Sequence, residues 1–291
     1  MWKARRLYPI ALAGLAAIAL TGALALPSAA TPAKPDRPQR IVSLNLCADQ
    51  LVLALADRSQ IAGLTRNAMD REMSAEAGKA HGLRILGTSA EEILGIAPDL
   101  VVGMPARRSA AIGVLKGQDY RMVDLKSANT LEDIFTSIRD AATAVGHPAR
   151  GEALIALMRQ DLARIPKRGG GKVAAYYQRR GYMTGTGTLI DDLMTHMGLV
   201  NLAAKLGKPA LSQVSLEEMV AAQPDYIIVE SATDEVTDQG TEMLHHPALR
   251  DIPRISISQA WTVCGSPAYV TAARSIAEQM ARADRGRISA R

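Results

Sequence analysis

The sequence predicts an α/β protein of two similar lobes, each a central, mostly parallel sheet flanked by helices. Two observations carry that expectation. Short β-branched runs alternate with amphipathic stretches along the chain, the pattern of strands connected through helices. One strand-and-helix unit also occurs twice, at matching places in the two halves, which is the signature of a duplicated architecture.

Taken in order, Ile41 to Leu44 reads as strand, Ala48 to Ala56 as helix and Ile61 to Leu64 as strand, followed by a helix-and-strand pair from Ser89 to Gly103. Apolar positions recur at helical spacing from Leu131 to Val145. Gly146 and His147 close that helix, Pro148 opens another, and Pro166 stops it after Ile165. The lobe boundary falls here. After the glycine-rich turn from Lys167 to Lys172, strand and helix alternate again through Val173 to Tyr177, Leu189 to Met197, Leu216 to Gln223 and Tyr226 to Val229. The division is 1–30 as a signal peptide, 31–39 as a leader, 40–147 as the N-terminal lobe, 148–166 as a connecting helix and 167–291 as the C-terminal lobe.

The repeated unit can be aligned by eye, Ser89-Ala-Glu-Glu-Ile-Leu-Gly-Ile-Ala-Pro-Asp-Leu-Val-Val102 against Ser215-Leu-Glu-Glu-Met-Val-Ala-Ala-Gln-Pro-Asp-Tyr-Ile-Ile228. In each, Ser caps a helix, the Glu three residues later answers it as a capping box, and Pro-Asp ends the turn before a buried strand. That arithmetic assigns Glu92 and Glu218 to capping and leaves Glu91 and Glu217 facing solvent, one acidic knob per lobe. An acidic residue in a first helical turn also simply complements the helix dipole.

The first thirty residues have a charged start at Lys3, Arg5 and Arg6, an apolar run from Ile10 to Leu26 and small residues at Ser28-Ala29-Ala30. That order reads as a cleaved secretory signal, with an uncleaved anchor as the alternative because the run approaches membrane-spanning length. No cysteine stands at the cleavage site, so a lipoprotein is not expected. Without those three cations the formal charge of +5 falls to about +2, which gives nucleic-acid binding no support. The remaining chain keeps one tryptophan, Trp261, and one phenylalanine, Phe135.

With these segments in hand, the chain resembles the periplasmic binding proteins that serve ferric-siderophore and cobalamin ABC importers. The resemblance runs from Arg40-Ile-Val-Ser-Leu-Asn45, through both Ser-x-Glu-Glu…Pro-Asp units, to Trp261-Thr-Val-Cys-Gly-Ser-Pro267. It implies two lobes joined by one long helix, here Pro148 to Ile165, with the ligand held between them. It also implies that Glu91 and Glu217 meet arginine pockets on a membrane permease. The expected protein is periplasmic and monomeric, needs no cofactor and no bound metal, and is not an enzyme.

Ligands of open parallel sheets sit beyond the carboxyl ends of the strands. That rule nominates Asn45, Cys47, Thr65, Arg66, Arg107 and Arg108 in the first lobe. In the second it nominates Tyr177, Gln178, Arg179, Arg180, Tyr182, Glu230, Ser231, Trp261 and Cys264. Recurring arginines with flat aromatic faces suit a bulky anionic chelate, although any one arginine after a strand is as readily a solvated surface residue. Scarce aromatics put a ferric siderophore ahead of a cobalamin-like ligand, with haem as a further alternative. Cys47 and Cys264 are the only cysteines; a disulfide between them would tether the lobes, and buried or pocket-lining thiols are the alternative. A chelatase-like enzyme acting on tetrapyrroles is the rival from another class. It finds no Gly-x-Ser-x-Gly elbow, no phosphate-cradling Gly-Lys-Ser/Thr loop and no complete dinucleotide fingerprint.

Overall fold

The computed structural model describes residues 37–87, 89–103 and 120–289. The signal-peptide reading of residues 1–30, most of the leader and the nominated Arg107 and Arg108 therefore lie outside the described residues. From Pro35 onward the chain clusters as one compact unit, and it contains two separate parallel sheets.

The first lobe runs β1 (Ile41–Ser43), α1 (Leu46–Leu55), β2 (Ile61–Thr65), α2 (Ala77–Ala80), β3 (Ile85–Leu86), α3 (Ala90–Ile96), β4 (Leu100–Gly103) and β5 (Met122–Asp124). Its strands pair in the order β3-β2-β1-β4-β5, every pairing parallel. Two helices follow, α4 (Leu131–Ala144) and α5 (Pro148–Arg164). A reciprocal box of Thr130 and Asp133 starts α4, and Pro148 occupies the first turn of α5, where its missing N–H costs nothing.

The second lobe comprises β6 (Val173–Tyr176), β7 (Tyr182–Thr184), α6 (Leu189–His196), β8 (Val200–Asn201), α7 (Leu202–Lys205), β9 (Leu211–Gln213), α8 (Leu216–Ala222), β10 (Tyr226–Glu230), α9 (Gln239–Glu242), β11 (Arg254–Ile257) and α10 (Tyr269–Ser289). The parallel sheet is ordered β11-β10-β6-β8. Read from the other edge it repeats β2-β1-β4-β5 strand for strand. An antiparallel pair, β7 with β9, is extra.

The repeated sequence unit occupies equivalent places: α3 then β4 beside β1, and α8 then β10 beside β6. Both helices end on a non-glycine residue in the left-handed region, Ala97 (φ 50°) and Gln223 (φ 42°). The Pro-Asp that follows also has the same task twice. Asp99 accepts from the backbone N–H groups of Gln39 and Arg40, and Asp225 from that of Val173, so each carboxylate ties the turn to the entry of its lobe's first strand.

The capping boxes form only by half. Ser89 and Ser215 accept from the N–H groups of Glu92 and Glu218. The glutamates turn elsewhere, Glu92 to the Gly87 N–H and Glu218 to Lys208. Glu91, expected to have no local contact, accepts a hydrogen bond from the Ser89 hydroxyl at 2.6 Å.

β4 and the first four residues of β10 are buried on both faces, as strands covered by helices on each side must be. One hydrophobic cluster runs through both lobes, from Leu51, Leu55 and Ile138 to Leu193, Met194, Tyr269 and Ile276. At the crossing of α4 and α5, a Cβ on Gly151 would stand 2.6 Å from that of Ala142, so glycine sets how closely the two helices approach.

Candidate functional site

The carboxyl ends of both sheets supply the residues of the cleft. At the junction of the lobes lies a cavity of about 200 Å3, lined by Cys47, Ala128 and Asn129 from the first lobe and by Thr188, Ile190 and Cys264, among others, from the second. Asn45 does not line it. Asn45 caps α1, accepting from the Ala48 N–H at 3.1 Å, and so fixes the turn that carries Cys47.

Three fasteners hold this floor. Cys47 and Cys264 form a disulfide with Cα atoms 5.3 Å apart, so neither is a free thiol, and the nominated pair takes part in the cleft as a cross-lobe bond. Gly265 faces Ala128 so closely that a Cβ on it would come within 2.3 Å of the alanine Cβ. The Asp192 carboxylate, on α6, accepts from the Leu131 N–H at the start of α4 (3.2 Å) and from the Tyr269 hydroxyl (2.6 Å). Burial, then that hydrogen bond, raises the Tyr269 hydroxyl well above its ordinary range, so it stays a donor at any physiological pH.

The second-lobe wall holds another hollow, about 400 Å3, lined by Gln178, Arg179, Tyr182, Leu211, Glu230 and Gln259. Glu230 ends β10, and its Oε1 accepts from the Tyr176 hydroxyl and the Gln178 amide, both at 3.2 Å. Burial first, and the neighbouring Glu230 charge second, push Tyr176 far above the usual tyrosine range. Tyr182 (40% exposed) and Leu211 (58%) give the wall its apolar faces.

On the first-lobe side, Asp49 is fully buried and accepts from the Thr65 N–H (3.1 Å) and hydroxyl (2.5 Å). Its neighbour Gln50 accepts from the Ala75 N–H at 3.3 Å. Two consecutive α1 side chains therefore pin both ends of the segment that displays Arg66 and the exposed Met69. Burial lifts the Asp49 carboxyl to about 6. A carboxylate in a mostly apolar helix start, Leu46-Cys-Ala-Asp-Gln-Leu51, is the sequence signal that marks it.

The nominated arginines and tyrosines separate on inspection. Arg66 is exposed at the end of β2. Arg179 lines the wall but is ion-paired with Asp238, and Arg180 sits in the left-handed region (φ 58°), its carbonyl accepting from Gln213. Tyr177 is fully buried in the second-lobe core, its hydroxyl donating to the Val214 carbonyl; adjacent strand residues face opposite ways, and Tyr176 is the one turned to the site. Trp261 closes a short helical turn between the cleft residues Gln259 and Thr262 while packing, partly buried, on the main core.

A strut-joined pair of parallel sheets with a groove at their carboxyl edges defines a solute-binding architecture, and the chain belongs to the periplasmic binding protein family, whose model matches residues 41–255. Its members are binding proteins, not enzymes. Among similar curated proteins, the Vitamin B12-binding protein of Pectobacterium carotovorum is 26% identical over 266 residues, covering 87% of this chain and 92% of that one. The Cobalamin-binding protein of Halobacterium salinarum is 24% identical over 205 residues, and the match spans 68% of this chain but only 56% of that relative's length. The solved structure of a periplasmic heme-binding protein from Roseiflexus sp. RS-1 shares the fold, with a TM-score of 0.66, 23% identity and coverage of 83% of this chain and 97% of that one. Among the described residues no helix is long and apolar enough to cross a membrane.

Proposed function

We propose that this chain is the exported solute-binding component of an ABC importer and that it carries a cobalamin-type corrinoid between its lobes. The observation that carries the reading is a cavity lined from both lobes, at the carboxyl edges of two parallel sheets, in a chain alike to a B12-binding protein over most of its length. At about 200 Å3 the cavity would take only the part of a corrinoid that reaches the floor, with the rest lying against the cleft walls. The corrinoid takes precedence over the ferric siderophore that the arginines suggested, because Arg179 is already paired with Asp238 and Tyr177 is a core residue. Export rests on the charged, apolar and small-residue order of positions 1–30.

Delivery to a permease would use Glu91 and Glu217. Both are exposed and stand at equivalent positions in the first turns of α3 and α8. Hydrogen bonding from Ser89 lowers the Glu91 carboxyl; the backbone at the helix start, then Ser215, lowers that of Glu217. Each remains anionic well into mild acid.

The test is a titration of signal-cleaved protein with cyanocobalamin, a ferric trihydroxamate and haem, following Trp261 emission and calorimetric heat. Saturable 1:1 binding of cyanocobalamin, tighter than the other two, is expected; preference for haem or the iron chelate would overturn the corrinoid reading. Reversing both charges (Glu91→Lys with Glu217→Lys) is expected to spare affinity and abolish uptake.

A further inference from the structure

We propose that Glu230 is the specificity-determining carboxylate of the cleft: it accepts hydrogen bonds from carboxamide or ammonium groups on the rim of the ligand and rejects rims that carry carboxylates. The inference rests on the corrinoid reading for its first ligand pair, but its chemistry is independent of it.

Glu230 ends β10, which lies inside the second-lobe sheet between β11 and β6. Its headgroup is not free to swing. Oε1 is held by two donors, Tyr176 and Gln178, and Gln178 is itself steadied by the Thr184 hydroxyl at 3.4 Å. Oε2 has no protein partner among the described residues, and no ion pair there neutralises the charge. The cation of the same hollow, Arg179, is committed to Asp238. The wall therefore presents one fixed, half-buried negative charge, framed by the side-chain amides of Gln178 and Gln259 and by the apolar faces of Tyr182 and Leu211.

A carboxylate arranged this way needs donors to fill its remaining lone pairs, and it meets another carboxylate with direct repulsion in a partly desolvated setting. Sites built to bond a donor reject analogues lacking it far more strongly than apolar pockets discriminate by size. A corrin ring edged with primary carboxamides satisfies Glu230. A porphyrin edged with propionates does not.

The experiment compares matched ligand pairs on the wild-type protein and on Glu230→Gln, which keeps the Oε1 acceptor for Tyr176 and Gln178. The first pair is cyanocobalamin and the same corrinoid with its peripheral amides hydrolysed to carboxylates. The second is a ferric trihydroxamate with a pendant ammonium and its succinylated, carboxylate-bearing form. Wild-type protein is expected to prefer the donor-bearing member by about ten- to a hundred-fold, the range for a hydrogen bond to a charged group. Glu230→Gln, with an unchanged melting midpoint, is expected to narrow that ratio to within about three-fold, mostly by tighter binding of the carboxylate form. An unaltered ratio in a pair that binds overturns the role of Glu230, and it leaves the corrinoid reading standing when that pair is the cyanocobalamin one. A shifted ratio seen only with the hydroxamate pair supports Glu230 and overturns the corrinoid reading. Binding of neither pair overturns both.

Discussion

Replacing both cysteines (Cys47→Ser with Cys264→Ser) is expected to destabilise the protein substantially without unfolding it at room temperature. The bond joins residues 217 apart in sequence, and the chain-entropy relation for a loop of that length gives about 5 kcal/mol at 25 °C. That figure is a ceiling, because a compact denatured ensemble already restricts part of the loop. For a domain of this size each kcal/mol moves the melting midpoint by about 2–4 °C, so a loss of roughly 10–20 °C is expected. The denaturant slope is expected to rise as well, since the untethered denatured chain exposes more surface. The assay is urea and thermal unfolding of oxidised, chemically reduced and doubly substituted protein, with thiol titration in denaturant as the control. The chain has two cysteines, so the oxidised form should show no free thiol and the reduced form both. Midpoints agreeing within about 1 °C, where several-fold more is expected, would refute the tether as a source of stability.

Three other outcomes follow from particular contacts. Burial raises Asp49 from 3.8 to about 6, so between those values the folded state binds more protons than the unfolded, and stability falls as pH rises through that window. At about 1.4 kcal/mol per pH unit the effect is on the order of 2–3 kcal/mol; Asp49→Asn should flatten urea midpoints across the window, and an unchanged slope would refute the assignment. Gly265→Ala should cost about 1–3 kcal/mol by driving a methyl into Ala128, and Ala128→Gly in the same chain should recover part of it; additive losses in the double-mutant cycle would refute that contact. Asp192→Asn should cost about 1–2 kcal/mol, because the amide must replace a carboxylate that serves two donors, and a calorimetric midpoint equal to the parent's would remove its bridging role.

The fold was legible wherever a backbone rule leaves a compositional mark. Fully buried strands such as Leu100–Gly103 and Tyr226–Glu230 appear as apolar runs, and the Pro148 start and Pro166 stop bracket a helix observed at Pro148–Arg164. The antiparallel pair β7 with β9 was not read, because three-residue strands carry too little alternation. Site residues were harder for a different reason. A position just after a strand is local information, but its partner is not. Arg179 finds Asp238 59 residues away, and Cys47 finds Cys264 across the lobes. At the end of β6 one residue decides the face: Tyr177 enters the core and Tyr176 reaches Glu230, and sequence alone had no means to choose between two neighbouring tyrosines.

The floor of the cleft also constrains how a ligand can leave. Hinged binding proteins release solute by opening, which requires an interface between lobes that separates at low cost. Here the hydrophobic cluster is continuous across the lobes, and a disulfide, a glycine-to-alanine contact and a doubly bonded carboxylate all cross at the base. Opening there would expose core and take the Leu131 donor from Asp192, leaving it only Tyr269 of its own lobe, so the floor resists separation. The rims expose Arg66, Met69, Tyr182 and Leu211, and the Arg66–Ala75 segment is itself held at its ends by Asp49 and Gln50 and in its middle by Ala68, fully buried in the main core. On the proposed function, a docked permease would act on these exposed rims rather than on the floor, and affinity in its absence would come from a slot that needs little ordering when the ligand arrives.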